Sequence, residues 1–224
     1  MSIILDCLLI RHGSTPGNEE KRYTGCRTDE DLSDKGREEC NKLRMRMSGT
    51  GLIDELRRFE TGSAGEAGVF VISGGLARCR TSAELIFPGA LRVTDELLTE
   101  IDFGRFEGKN YNELKNDMDY ISWLESGGTA PFPGGESRED FIERSFNAFE
   151  QDVIRYAASG KTLAFVCHGG NIMSVMSRLT GRDYFDFQVG CCEGYRLVLT
   201  VDSEESGNGI DLVSYDRIIC GNPA

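Results

Sequence analysis

The sequence predicts one α/β domain that spans residues 1–224 and contains a mainly parallel sheet. Apolar runs at Ile4–Ile10, Val69–Ser73 and Thr162–Cys167 have the length and composition of buried strands. Segments with helical periodicity separate these runs, and strands that alternate with helices favour a parallel sheet because parallel neighbours need a crossover. A chain of 224 residues can bury one sizeable core.

The first half of the chain begins with the strand at Ile4–Ile10. A helix is predicted from Ser33, which is a favourable N-cap for the amphipathic segment that follows it. Residues 49–68 are rich in glycine and charge, which predicts a loop with a short helical piece. After the strand at Val69–Ser73 the sequence predicts a helix from Leu76 and a short strand from Leu91.

The stretch from Ile101 to Gly135 is the least regular part of the chain. It contains the only tryptophan, Trp123, and a cluster of glycine and proline before Gly135. Insertions of this kind commonly form a lid or the wall of a site, and we expect residues 101–135 to do so. Tyr111, Trp123 and Phe132 would then line the lid, whereas core packing is the alternative role for these rings.

The second half begins with a long helix from Ser137, where Ser137 and Asp140 resemble a capping box with aspartate in place of glutamate. The strand at Thr162–Cys167 leads into a helix that Gly181 is expected to end. Two alternating segments then predict an edge hairpin around residues 203–209.

Composition excludes several classes of protein. A formal charge of −12 argues against general binding to nucleic acid or to anionic membranes. No run approaches the roughly 18 apolar residues of a membrane span, and no targeting segment is evident, so we expect a cytoplasmic protein. The eight cysteines form no C-x-x-C pair and only two histidines accompany them, so we expect reduced structural thiols, no zinc and no other cofactor.

The chemistry-bearing residues follow the predicted buried strands. Arg11, His12 and Gly13 follow the first strand, and Gly74, Gly75 and Arg78 follow the second. His168, Gly169 and Gly170 follow the third. Ligands of open α/β sheets bind outside the carboxyl ends of the strands, so both histidines of the protein are expected at one edge.

Two histidines with two arginines form a poor metal site because guanidinium groups repel a cation. They form a good phosphate site, since the planar guanidinium matches phosphate oxygens bidentately and helix N-termini add N–H donors. A single histidine in such a place could be purely structural, and a single arginine could belong to a surface ion pair. Their joint placement favours a phosphate site.

These residues also resemble a known family. Residues 11–18, R-H-G-S-T-P-G-N, resemble the R-H-G-x-T-x-x-N signature of the histidine phosphatase superfamily, the phosphoglycerate mutase-like proteins. Further motifs follow in family order. They are LSDKGREEC, SGGLARCRTSA with Arg78, LLTEIDFGRFEG with Glu100, PGGES at Pro133–Ser137, and VCHGGNI with His168 and Gly169.

The resemblance implies a three-layer α/β/α sandwich and a phosphohistidine intermediate. It implies that His12 is the nucleophile, that Arg11, Arg78 and His168 hold the phosphoryl group with Asn18 and Gly169 beside it, and that Glu100 is the general acid. No metal is required by this chemistry. The physical logic agrees, because phosphoryl transfer depends on positioning and on stabilising charge at the equatorial oxygens.

Some choices stay open in the sequence. Asp102, Glu107 and Glu136 are rivals of Glu100 for the acid role. Arg80 could be mistaken for Arg78, but two helical residues two positions apart point about 200° apart, so only one should face the site. A protonated His168 would add a third cation. Gly74-Gly75 replaces the family's Ser-Pro, and Ser14 stands where glutamate or glutamine is common.

The leading hypothesis is a phosphomonoesterase that acts on a small phosphorylated metabolite. The P-G-G-E-S element and the short segment between Glu100 and His168 resemble the small phosphatases, with α-ribazole 5′-phosphate or a sugar phosphate as candidate substrates. The alternatives are a bisphosphoglycerate-dependent phosphoglycerate mutase and a non-catalytic module that binds a phosphorylated ligand. The sequence does not predict the oligomeric state.

Overall fold

A computed structural model describes residues 2–49, 68–202 and 209–220. A six-stranded sheet forms its middle layer, with the spatial order β3-β2-β4-β1-β5-β6. In chain order the strands are β1 Ser2–Arg11, β2 Val69–Gly74, β3 Leu91–Asp95, β4 Thr162–Cys167, β5 Gly194–Asp202 and β6 Ile210–Ile218.

Helices pack on both faces of this sheet, and further short helices lie in the irregular stretch. In chain order they are α1 Pro16–Glu19, α2 Asp34–Gly49, α3 Ala77–Ile86, α4 Tyr111–Leu114, α5 Met118–Glu125, α6 Arg138–Tyr156 and α7 Gly169–Thr180. Short 3-10 turns lie at Glu96–Leu98, Gly104–Phe106, Ala157–Ser159 and Tyr184–Phe187.

The strand pairing brings the two histidines together. Strands β1 and β4 are parallel neighbours in which Arg11 pairs with Cys167. The chain leaves both strands at that level, and the His12 amide donates a hydrogen bond to the Cys167 carbonyl at 3.0 Å. His12 and His168 therefore begin their loops side by side at the carboxyl edge of the sheet.

Two cores confirm the three-layer sandwich. On one face, inward residues of β1 such as Leu9 pack with Phe149 of α6 and Ile172 of α7. On the other face, Ile10 packs with Leu43 of α2 and Ile86 of α3. The side chains of β1 alternate between the two cores, as the two-residue period of a strand requires.

A third, smaller core lies outside the sandwich, within the irregular stretch. Phe106, Leu114, Tyr120 and Phe132 are buried there with Phe141 of α6. Trp123 is half-buried against this group, and its ring lies 4.8 Å from that of Phe132, centroid to centroid. Tyr111 is 60% exposed. Trp123 and Phe132 therefore take the packing role, whether or not the stretch also forms a lid.

The predicted elements agree closely with the described ones. Strand β1 extends beyond Ile4–Ile10 at both ends, α2 begins after Ser33, whose hydroxyl accepts from the Gly36 amide, and Gly181 ends α7 with φ of 69°. The C-terminal pair is a hairpin whose outer strand is the sheet edge, while its inner strand pairs with β1. The predicted loop within residues 49–68 falls almost wholly outside the described residues, as does most of the turn at 203–209.

The capping at Ser137 differs from the expected box. The Ser137 hydroxyl accepts from the Asp140 amide at 3.1 Å and donates to the Asp140 carboxylate at 2.7 Å. The aspartate is one methylene shorter than glutamate, and it bonds the serine hydroxyl. Among the described residues, none of the helices has both the length and the apolar character needed to cross a lipid bilayer.

Candidate active site

The two imidazole rings lie against each other at the edge of the sheet. Their centroids are 5.1 Å apart with an interplanar angle of 69°, and the two residues are 3% and 0% exposed. His12 Nδ1 lies 2.7 Å from the Gly13 carbonyl, which can only accept, so Nδ1 carries the ring proton. His12 Nε2 therefore keeps its lone pair and is the nucleophilic atom of the ring.

His168 has the opposite tautomer. Its Nδ1 accepts a hydrogen bond from Arg78 Nε at 3.4 Å, so a neutral ring carries its proton on Nε2. The Cys79 sulfur lies 3.3 Å from that Nε2. The pair thus presents one nitrogen lone pair, on His12, and one N–H donor, on His168.

Arg78 is fully buried and is held by backbone oxygens. Its Nη1 donates to the Thr28 carbonyl at 2.7 Å, and its Nη2 donates to the Gly25 carbonyl at 3.0 Å and the Thr24 carbonyl at 3.4 Å. Arg80, two residues along the same helix, bonds the Gly75 carbonyl instead. The prediction that only one of these arginines faces the site agrees with this arrangement.

Arg11 lies on the other side of the site. Its Nη1 donates to the Val189 carbonyl at 2.8 Å, while its buried Nε has no hydrogen-bond partner among the described residues. Gly169 lies directly against the Arg11 side chain, since a Cβ there would be 3.5 Å from Nε. An unpaired guanidinium N–H beside the first residue of α7 is a suitable place for an anionic oxygen.

Asn18 and Arg11 line an open cleft of about 440 Å³. The Asn18 side-chain oxygen accepts from the Thr15 amide at 3.3 Å, which holds the residue at the start of α1. Lys21 and Lys35 lie along the same cleft with Glu39. Solvent therefore reaches the groups that would hold a phosphoryl oxygen.

Glu100 brings a half-buried carboxyl group to this site. Its Oε1 accepts from the Ile101 amide at 2.9 Å, and its Oε2 lies 3.4 Å from the Gly170 amide at the start of α7. Burial raises the pKa of Glu100 above its ordinary value, against the opposing effects of those amides and of Arg78 and Arg11. A carboxyl group of this kind can keep a proton for transfer.

The three rival carboxylates have other partners. Asp102 forms an ion pair with Arg27 at 2.8 Å, and Glu136 forms one with Arg144 at 3.0 Å. Glu107 accepts hydrogen bonds from the amides of Gly25 and Arg27. Each of these carboxylates stabilises a neighbouring loop or helix.

Both histidines are neutral in this setting. Burial, with the positive charges of Arg11 and Arg78, lowers the pKa of His12 well below its ordinary value. Burial and Arg78 lower the pKa of His168 in the same way, with smaller effects of His12 and Arg11. The protonated His168 considered from the sequence is therefore not the form that this environment favours.

Several residues that position the site were missed by sequence reasoning. Ser82 accepts a hydrogen bond from the Gly13 amide at 3.0 Å and donates to the Arg78 carbonyl at 2.7 Å, which links the two loops. Asn171 accepts from the His168 amide and donates to the Thr99 carbonyl beside Glu100. Helical spacing from Arg78 could have indicated Ser82, whereas no local pattern indicates what Asn171 contacts.

Glu39 and Asp29 also have positioning roles. Glu39 accepts from both the amide and the hydroxyl of Ser14, directly after the Arg-His-Gly triplet. Asp29 accepts from the Ala77 amide at the start of α3. Within the described ranges, no cluster of three or more histidine, cysteine, aspartate or glutamate residues could hold a metal ion.

The chain is similar to a known family over most of its length. Residues 7–207 match the family model of the histidine phosphatase superfamily (branch 1). A 2,3-bisphosphoglycerate-dependent phosphoglycerate mutase of Parvibaculum lavamentivorans is 25% identical over 176 residues, which are 77% of this chain and 78% of that protein.

Two solved structures are similar in fold. The α-ribazole phosphatase of Shigella flexneri has a TM-score of 0.67 and 20% identity, over 93% of this chain and 94% of the other. The phosphoserine phosphatase of Entamoeba histolytica, solved with 3-phosphoglyceric acid, has a TM-score of 0.67 and 24% identity, over 95% and 96%.

Proposed function

The chain belongs to the histidine phosphatase superfamily, and we propose that it is a phosphomonoesterase that hydrolyses a small phosphorylated metabolite through a phosphohistidine on His12. One observation carries this proposal. Two buried imidazoles, 5.1 Å apart, share the site with two guanidinium groups and a half-buried carboxyl group. The pKa of His12 is lowered and that of Glu100 is raised. This set supplies a nucleophile, an anion clamp and an acid.

In the first step, His12 Nε2 attacks the phosphorus atom and the bond to the ester oxygen breaks. The lone pair is available because Nδ1–H is held by the Gly13 carbonyl. Arg11, Arg78, the His168 N–H, Asn18 and the Gly169 amide would contact the equatorial oxygens, where negative charge is spread. Glu100 gives its proton to the leaving oxygen, which would otherwise depart as an alkoxide.

In the second step, water attacks the phosphohistidine and Glu100, now ionised, accepts a proton from that water. Inorganic phosphate leaves and His12 returns to its neutral form. The cleft at Arg11 and Asn18 supports hydrolysis, because it lets water approach the groups that hold the phosphoryl oxygens.

A phosphoglycerate mutase is the second candidate, because the curated relatives of this chain include such enzymes at 25% identity. The alignment with the Parvibaculum lavamentivorans mutase covers 77% of this chain and 78% of that protein, so the two proteins are similar in length. Chain length therefore does not distinguish a mutase from a phosphatase. Water access does distinguish them physically, since a mutase must protect its phosphohistidine until the next acceptor binds.

The test is hydrolysis of a panel of phosphomonoesters without added metal, by the intact protein and by His12→Ala. The panel contains p-nitrophenyl phosphate, 3-phosphoglycerate, phosphoserine, sugar phosphates and α-ribazole 5′-phosphate. We expect turnover that disappears in the variant, together with a phosphorylated His12 peptide in the intact protein after quenching in base. Isomerisation of 3-phosphoglycerate with the bisphosphate primer, faster than its hydrolysis, would establish the mutase instead. Binding of inorganic phosphate without turnover of any phosphoester would instead indicate a non-catalytic module that binds a phosphorylated ligand.

A further inference from the structure

Two buried thiols lie directly behind the His12 loop. Cys40 of α2 and Cys192, just before β5, are both 0% exposed, and their sulfur atoms are 3.5 Å apart. They are 152 positions apart in the chain, so the fold alone brings them together. Neither sulfur takes part in the proposed phosphoryl transfer.

Both cysteines contact the backbone of residues 11–13, which carries the proposed nucleophile His12. The Cys192 amide donates to the Arg11 carbonyl at 3.1 Å and to the His12 carbonyl at 3.3 Å. The Cys40 sulfur lies against Gly13, where a Cβ would approach it to 2.9 Å. A movement of either sulfur would therefore be transmitted to residues 11–13.

We propose that Cys40 and Cys192 form a redox site, which a peroxide converts to a disulfide that displaces the His12 loop and lowers the activity of the protein. A covalent S–S bond is about 2.05 Å long, so at least one sulfur must move when the bond forms. The Arg11–Gly13 backbone lies against both cysteines and moves with them.

The chemistry balances with hydrogen peroxide as the oxidant. The Cys40 thiolate attacks one peroxide oxygen, the O–O bond breaks, and Cys40 becomes a sulfenic acid as one water forms. Cys192 then attacks the sulfenic sulfur and releases a second water. The two thiols lose two electrons and two protons, and the peroxide gains both.

Cys40 is the attacking sulfur in this proposal. The hydrogen bond that the two sulfurs share lowers the pKa of Cys40 and raises the pKa of Cys192. Access for a small oxidant comes from the next residue, since Cys191 is half-buried and lines the cleft at Arg11 and Asn18. Solvent is thus one residue away from Cys192, whose sulfur atom lies 3.5 Å from that of Cys40.

The experiment treats the fully reduced protein with hydrogen peroxide and follows two readouts. Peptide mapping by mass spectrometry measures the Cys40–Cys192 cross-link, and kcat/KM for p-nitrophenyl phosphate measures the effect on the site. We expect the cross-link to form and kcat/KM to fall about tenfold or more, because misplacing reacting groups by about 1 Å can cost 10²-fold. Dithiothreitol should reverse both changes.

Matched variants separate this site from the other thiols. Cys40→Ala and Cys192→Ala should keep their activity in peroxide, and Cys40→Ser and Cys192→Ser serve if the alanine variants fold poorly. Cys220→Ala is the control, because Cys220 is half-buried and its sulfur lies 3.6 Å from the Glu39 carbonyl, outside the pair. This variant should lose activity in peroxide as the unaltered protein does.

Three outcomes would overturn the proposal. They are the absence of a cross-linked Cys40–Cys192 peptide, a cross-link that leaves kcat/KM unchanged, and a loss of activity in the Cys40 variants equal to that of the unaltered protein. The activity readout rests on the proposed function. If the reduced protein hydrolyses no phosphoester, that function fails, while the cross-link and amide exchange at residues 11–13 still test the thiol pair.

Discussion

A Cβ atom added to Gly170 would lie 2.4 Å from Glu100 Oε1, so this glycine provides the space that the half-buried carboxyl group occupies. The same atom would lie 2.7 Å from Phe141 Cε1. We therefore expect Gly170→Ala to displace Glu100 and to lower kcat/KM for alkyl phosphates by about 10²-fold. Overpacking should also lower the free energy of unfolding by about 1–3 kcal/mol.

Steady-state kinetics and urea unfolding check this prediction. Gly169→Ala is the control for stability, because its Cβ would meet the Arg11 side chain only at 3.5 Å, an ordinary contact. Equal destabilisation by the two substitutions would count against the packing argument.

Replacing Glu100 by glutamine should remove the proton donor and keep the shape. We expect Glu100→Gln to slow hydrolysis of glycerol phosphate by about 10²–10⁴-fold, because general acid catalysis contributes that much. p-Nitrophenyl phosphate should be affected far less, since its leaving group needs no proton. Glu136→Gln, which disturbs the pair with Arg144, should show no such dependence on the leaving group.

The pH profile of kcat/KM should depend on His12 and Glu100. His12 must be neutral, and its lowered pKa places the rising limb of kcat/KM well below the ordinary value of 6.5. Glu100 must be protonated, and its raised pKa moves the falling limb above the ordinary value of 4.5. The falling limb should disappear in Glu100→Gln, and a profile that keeps it would assign the acid to another residue.

Arg78 should not tolerate lysine. A single ammonium cannot replace a fork that bonds Thr28, Gly25 and His168 together. We expect Arg78→Lys to lower kcat/KM by about 10²–10³-fold, as does the loss of one donor in other preorganised sites. Arg80→Lys, on the same helix, should leave kcat/KM for p-nitrophenyl phosphate within about twofold of the unaltered protein, because Arg80 bonds the Gly75 carbonyl and does not face the site. That factor corresponds to about 0.4 kcal/mol.

Asp152 of α6 should make stability depend on pH. It is 5% exposed, and burial together with Asp95 raises its pKa from 3.8 to about 6. Between these two values the unfolded chain loses the proton first, so stability falls as the pH rises through this window and the loss stays constant above it.

We therefore expect Asp152→Asn to raise the free energy of unfolding at pH 7 to 8 by about 1–2 kcal/mol. The gain should become small near pH 4, where the folded carboxyl group keeps its proton and the unfolded one is only about half ionised. Glu143→Gln, at an exposed position of the same helix, is the control for removing a negative charge. Chemical denaturation at the two pH values measures both, and an equal gain at pH 4 would refute the assignment.

Trp123→Ala tests whether the stretch at 101–135 is a small core or a lid. The Trp123 ring lies over Tyr120 and Phe132, so its removal should cost about 2–3 kcal/mol of stability. If packing is its only role, KM should rise equally for p-nitrophenyl phosphate and for the best metabolite. A selective rise for the metabolite would establish contact with the leaving group.

The sheet, and the placement of the candidate phosphate-binding groups at its edge, could be predicted from the sequence because both depend on local signals. Apolar runs mark the buried strands, and residues directly after parallel strands must meet at one edge, which placed His12 and His168 correctly. The helical period separated Arg78 from Arg80. These inferences need only the geometry of a strand or of a single helix turn.

What the sequence did not reveal depends on contacts between distant segments. The carbonyl oxygens of Thr24, Gly25 and Thr28 hold Arg78, yet backbone oxygens leave no trace in residue identity. Cys40 and Cys192 are 152 positions apart, and only the packing of α2 against the loop before β5 brings their sulfur atoms together. The small core around Phe106 is built from helices of 4 and 8 residues, which are too short to show a clear period.

The backbone oxygens around Arg78 have a consequence for the thermodynamics of ligand binding. Because its guanidinium is already fixed by Thr28 and Gly25, a phosphate bound as proposed would not have to immobilise a flexible side chain. Immobilising a long side chain costs about 0.5–1.5 kcal/mol on association. That entropic cost is met during folding here, so phosphate should associate with a small conformational penalty and without rearrangement of α3.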